Sequence, residues 1–342
     1  MGYKKQKVIN PNTENTKIIN DMKEILTFNP YFAHVIWGGE RICQFKGIPS
    51  EGTDIGESWE LSPMKGHESV VAEGPHKGAT LNELVSRYGD DIMGARLNKR
   101  YNGEFPLLIK FIDSRRDLSI QVHPDDELAA KRDSRGKTEM WYSIDPAEGA
   151  YLYAGFNREV TPEEFEKSIA DSTIVDLLSR FPTHKGDVFF LPAGCVHAIG
   201  TGNFVVEIQD ASAITYRIFD YNRVGADGKP RQLHVAQAIE ATKFDDTAFV
   251  TPKNVAVAPG HEAEVVHCPF FNTDLIAVDG KMTLDLEPRD SFTVLIATEG
   301  EVTLHGPEGD VTLAKGFTAL VPASVNTLEL TGTGRLMSVY VP

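Results

Sequence analysis

The chain has 342 residues and a formal net charge of −15. A field of that sign argues against nucleic acid or an anionic membrane as partner, so an anionic substrate would need a local cluster of Lys and Arg. The length suits two domains rather than one small barrel, and 41% hydrophobic residues supply substantial cores. Three cysteines, Cys43, Cys195 and Cys268, show no CxxC spacing. That suggests a reducing compartment and no thiolate metal site. No apolar run approaches the length of a transmembrane helix and no signal-peptide core opens the chain, so a cytoplasmic enzyme is expected.

Residues 1–21 are rich in Lys and Asn and read as a flexible lead-in, with Met22 a candidate internal start. From Leu26, the stretches 29–32, 36–39 and 56–62 read as short strands and ordered turns. Thr80-Leu-Asn-Glu83 is a capping box that should open a helix ending near Gly89. Phe105–Asp113 and Leu118–His123 read as strands. In the second, Ser119, Gln121 and His123 share one face, and Leu118, Ile120 and Val122 take the core face. The stretch 136–142 begins another strand, with Lys137 and Glu139 on one side. Thr161-Pro-Glu-Glu164 is a second capping box with Pro at N1, and opens a small helical insertion at about 161–180.

Gly186 to His197 reads Gly-Asp-Val-Phe-Phe-Leu-Pro-Ala-Gly-Cys-Val-His. It is a buried strand, a Pro/Gly turn, and a His at the start of a second strand. A neutral imidazole there would point from a rigid scaffold into a cavity, a good place for a metal ligand. Strands are expected at 204–208 and 214–219, a helix at 233–242 and a connector at 244–254. Beyond about 255 the chain is almost wholly short β-runs, with turns at Glu299-Gly300 and Gly306–Gly309. Lys315-Gly316-Phe-Thr-Ala-Leu-Val-Pro322-Ala323 echoes Lys185-Gly186-Asp-Val-Phe-Phe-Leu-Pro192-Ala193. Thr327 stands where His197 stands, so the echo keeps the turn and drops the ligand.

Gln121, His123, Glu139 and His197 can form one metal site. Two imidazoles, a carboxylate and an amide oxygen suit Zn²⁺, one per chain, with water completing the shell. The two-His, one-carboxylate set also suits Fe(II).

The spacing of Gly186, Pro192, Gly194 and His197 resembles the second motif of the cupin superfamily, although Thr201 stands at the motif's usual trailing Asn. Four segments together resemble the short bacterial form of type I mannose-6-phosphate isomerase. They are Ser-Ile-Gln-Val-His-Pro (119–124), Gly-Lys-Thr-Glu-Met-Trp-Tyr (136–142), Pro-Ala-Gly-Cys-Val-His-Ala (192–198) and Ile-Thr-Tyr-Arg-Ile-Phe-Asp-Tyr (214–221). The resemblance implies a mainly β fold of two cupin-type (jelly-roll) β-barrels with a small helical insertion. The expected division is a catalytic domain at 22–250 and a C-terminal, metal-free domain at 251–342. It implies zinc on Gln121, His123, Glu139 and His197, catalysis by Arg217 with Lys137, and a sugar-phosphate site of Ser119, Lys110 and Arg223. The implied reaction interconverts mannose 6-phosphate and fructose 6-phosphate through a cis-enediol. A cupin Fe(II) oxygenase and a non-catalytic sugar-phosphate sensor are the alternatives. One departure bears on the base: many relatives carry an Asp four residues before the Arg, and here Ala213 stands there, with Asp210 nearby.

Overall fold

The computed structural model describes residues 22–225, 228–244 and 252–342. The expected lead-in at 1–21 and most of the 244–254 connector lie outside the described residues. The chain is mainly β, with three antiparallel sheets of eight, seven and five strands. None of the sheets closes on itself through hydrogen bonds among the described residues.

The seven-stranded sheet runs Lys253–Asn254, Asp187–Leu191, Glu139–Ser143, Phe204–Asp210, Leu107–Asp113, Ile55–Leu61, Tyr31–Gly39. The five-stranded sheet runs Tyr216–Phe219, Ile120–Val122, His197–Ile199, Tyr151–Phe156, Leu178–Pro182. The two pack face to face. Trp141, Phe189, Val205 and Ile112 of one share a buried cluster with Leu152, Ala154 and Ile199 of the other. Period-two alternation fixes what each strand sends into this layer. Met140 and Tyr142 enter the core on the far side of the large sheet, so Glu139 and Trp141 face inward. Ile120 and Val122 pack outward against the helices Pro162–Ala170 and Val235–Ala241, so Gln121 faces inward.

The eight-stranded sheet holds the C-terminal residues, including three strands of 14 residues each. Two short strands cross the expected 250/251 division. Leu26–Asn29 pairs with Thr318–Val321 of the C-terminal sheet, and Lys253–Asn254 pairs with Asp187–Leu191. The Lys-Gly echo is structural: Gly186 (φ +85°) and Gly316 (φ +89°) each make a left-handed turn into a strand.

Local signals held where capping chemistry was explicit. The Thr80 box is complete, with Glu83 N–H on the Thr80 hydroxyl and Glu83 carboxylate on Thr80 N–H. The helix runs past Gly89 to Met93, bent at Tyr88, because Ile92 and Met93 are buried. Thr161 caps Glu164 N–H, but the Glu164 carboxylate turns to a two-point pair with Arg158, so that box is half made. Leu178 opens a strand rather than continuing the helix. Glu299-Gly300 lies inside one long strand, just past a register shift between Ala297 and Glu299, rather than in a turn.

Candidate active site

The cluster forms where strand registers meet. Glu139 lies between Leu191 and Gln209 on neighbouring strands. Across the layer His197 pairs with Gln121, and Gln121 with Arg217. His123 follows the end of its strand and is fixed at both ends: its carbonyl accepts Gly194 N–H, and its ring meets the Ile214 carbonyl. One ligand atom each from His123, Glu139 and His197 lie within 4.8 Å of one another, and all three residues are buried. No other such group of three or more His, Cys, Asp or Glu occurs among the described residues.

Both imidazoles have a settled tautomer. Nδ1 of His123 is 2.9 Å from the Ile214 carbonyl oxygen, and Nδ1 of His197 is 2.9 Å from that of Cys195. A carbonyl only accepts, so each Nδ1 carries the proton and each Nε2 offers a lone pair. Those Nε2 atoms stand 3.5 and 3.1 Å from the two Glu139 oxygens. Neither Glu139 oxygen receives an aligned hydrogen bond, nor does His123 Nε2. Buried polar atoms are normally satisfied, so these converging acceptors fit a cation. The Gln121 amide nitrogen is 3.2 Å from His197 Nε2. A half-turn of that amide would turn its oxygen to the same place.

Protonation favours the same reading. Burial, followed by Lys137, pushes His123 down to about 4. Burial alone would raise Glu139, but the neighbouring Lys137 ammonium, first among the charges around it, holds it well below the usual carboxylate range. Neutral imidazole and ionised carboxylate are the ligand forms. The Lys137 ammonium lies 2.9 Å from Glu139 Oε2 and is itself buried.

Arg217 flanks the cluster. Its Nε donates to Ser119 Oγ at 3.3 Å and its Nη1 to the Gln232 carbonyl at 3.0 Å. Arg223 and Arg231 both pair with Asp220 at 2.5 Å. Arg223 and Arg231 thus share one carboxylate, and Arg217 lies within reach of all three charges, a local excess of positive charge in a chain that is negative overall. Lys110 stands apart from them. Its ammonium is 3.0 Å from Glu207 and 3.6 Å from Glu57 and sits over the Trp59 ring. Burial would lower its pKa, but these carboxylates outweigh burial and raise it.

Residues 25–154 match the family described as phosphomannose isomerase type I, catalytic domain, and residues 261–341 match mannose-6-phosphate isomerase, cupin domain. The chain is 34% identical over 314 residues to mannose-6-phosphate isomerase ManA of Bacillus subtilis (strain 168), covering 90% of this chain and 96% of the relative. The chain belongs to the type I phosphomannose isomerase family. A mannose-6-phosphate isomerase of Streptococcus mutans is 32% identical over 91% of this chain and 96% of its own. The crystal structure of the mannose 6-phosphate isomerase from Bacillus subtilis superimposes with a TM-score of 0.80 at 28% identity, covering 93% of this chain and 99% of that one.

Within this phosphomannose isomerase fold, Ala213 is exposed and offers no proton acceptor. Asp210 does not replace it. It ends the strand whose Glu207 and Gln209 point inward, and so takes the opposite face. Its carboxylate accepts Thr138 N–H at 3.0 Å, and it lines a separate cavity of about 250 Å³ with Tyr101, Arg135 and Phe270. Sequence reasoning missed Glu207, Glu57, Asp220, Arg231 and His234. The first had a signal: Val205, Glu207 and Gln209 alternate with Val206 and Ile208, which marks two polar groups on one inner face.

Proposed function

We propose that the chain interconverts mannose 6-phosphate and fructose 6-phosphate by moving a proton between C2 and C1 through a cis-enediol. We read the two facing sheets as a cupin jelly roll and the C-terminal sheet as a second cupin-type barrel that holds no metal. The observation that carries the function is the His123–Glu139–His197 triad, with its acceptor atoms converging, beside a cluster of arginines. Gln121, His123, Glu139 and His197 would hold one Zn²⁺. When bound, that ion supplies Lewis-acid polarisation of the sugar oxygens.

The chain's own residues do the rest. The proton transfer builds negative charge on the former carbonyl oxygen, so a fixed cation beside that oxygen lowers the barrier. Arg217 suits the role because a guanidinium stays charged and donates in a fork. Lys137, buried against Glu139, is suited to carry protons between the sugar oxygens. Ser119 and Arg223, with Lys110, would receive the phosphate. Lys110 can do so only by exchanging a carboxylate partner for it. The interleaved strands exclude water from the inner wall, which strengthens each of these charge interactions.

Elemental analysis tests the ligand set. The native chain should carry one zinc. His197→Ala should carry none and still fold, since strand packing supplies most of the core. Full zinc occupancy in a folded His197→Ala protein would refute the assignment, and iron in place of zinc would point to the oxygenase reading.

A further inference from the structure

The loop that follows the Tyr216–Phe219 strand returns to it. Val224 and Pro230 form an isolated antiparallel bridge, and the chain then runs beside Arg217 as Arg231, Gln232, Leu233 and His234. His234 N–H donates to the Arg217 carbonyl at 2.8 Å. Arg217 N–H donates in return to His234 Nδ1 at 3.2 Å. The Gln232 carbonyl takes Arg217 Nη1, and Arg231 is tied to Asp220 through Nε and Nη2. Arg217 is therefore held on its backbone and its side chain by one short segment.

His234 is an unexpected residue for its place. It is the N-cap of the helix Val235–Ala241, yet its side chain makes no capping bond. Asn, Asp or Ser would cap that helix. The ring instead reaches back to Arg217. Accepting through Nδ1 requires a neutral imidazole, and burial followed by the Arg217 charge lowers the His234 pKa and keeps it so.

We propose that His234 is a positioning residue. Through the Arg217 backbone, and together with the Gln232 carbonyl, it fixes the guanidinium against Ser119. The inference rests on the role proposed for Arg217. A loosened Arg217 retains its charge but loses its aim, which affects the transition state more than substrate binding.

The test is a double-mutant cycle with a structural readout beside it. In the folded enzyme, His234→Ala should lower kcat by about 10- to 10²-fold with little change in KM. In an Arg217→Ala background the same change should cost almost nothing, because partners in one unit are not additive. In protein labelled with ¹⁵N-arginine, the Arg217 Nε–H signal, assigned by its loss in Arg217→Lys, should exchange with solvent at least about tenfold faster in His234→Ala. Additive rate effects with an unchanged Nε–H signal would overturn the proposal. If the native chain fails to turn over mannose 6-phosphate, the proposed function falls, and the Nε–H exchange alone decides the role of His234.

Discussion

Lys46 is a fully buried cation that ties the site-bearing sheet to the C-terminal sheet, and removing its charge should be costly. Its side chain is fully buried, and Glu60 is nearly so. The ammonium lies 2.8 Å from both Glu60 oxygens, donates to the Gly316 carbonyl, and sits over the rings of Phe111 and Phe317. Ser58 Oγ adds one more hydrogen bond to Glu60, at 2.5 Å. Lys46→Met keeps most of the stem's volume and removes the charge. Glu60 is then a buried carboxylate with a single hydroxyl partner, a change that costs about 3–5 kcal/mol. Replacing both partners, as Lys46→Met with Glu60→Leu, should recover most of the loss, leaving about 1–2 kcal/mol for the unpartnered Gly316 carbonyl and Ser58 hydroxyl. Urea unfolding at neutral pH, with tryptophan fluorescence as the signal, measures all three proteins. A single variant within about 1 kcal/mol of native, or a double variant as weak as the single, would refute the reasoning.

Two further outcomes follow from the site and its supports. Arg217→Ala should lower kcat by ~10²–10³-fold while KM changes little, the scale of removing one oxyanion-type donor. Arg217→Lys should not restore it fully, and steady-state kinetics showing a pure KM effect would move Arg217 to phosphate binding. Asp210 is pushed from 3.8 up to about 7, chiefly by burial, with Asp126 adding to it. Its folded value is raised, so the native state holds a proton that the unfolded chain has released. The stabilisation is complete below about pH 4 and is lost as pH rises through about 7. Asp210→Asn keeps an acceptor for Thr138 N–H without the charge. It should match the native protein near pH 4 and exceed it near pH 8 by up to about 4 kcal/mol. Parallel stability curves against pH would contradict this.

Much of the candidate site was legible because strands have a strict period. Gln121 against Ile120 and Val122, and Glu139 against Met140, are assigned to faces by alternation alone. The Gly186-to-His197 turn was legible because Gly and Pro punctuate the chain at fixed offsets. The rest depended on contacts that no local pattern encodes. Lys110 looks like an ordinary strand cation until Phe204–Asp210 pairs beside it and brings Glu207 within 3.0 Å. Asp220 and Arg231 are 11 residues apart and meet beside the bridge between Val224 and Pro230. The Arg41–Lys46 helix was also missed, since six residues are too few to show a helical period, and its Lys46 finds its partner in a distant strand. The open sheets have a similar cause, because barrel closure is a matter of register between edge strands and leaves no mark within any one of them.

Isomerisation by the cluster around Glu139 should depend on bound metal. A coupled assay that follows fructose 6-phosphate formed from mannose 6-phosphate, run before and after exhaustive chelation, tests it most directly. Turnover should be present, fall to background when metal is removed, and return on addition of about one equivalent of Zn²⁺ per chain. Full turnover in demonstrably metal-free protein, or none in zinc-loaded protein, would contradict a metal-dependent isomerase.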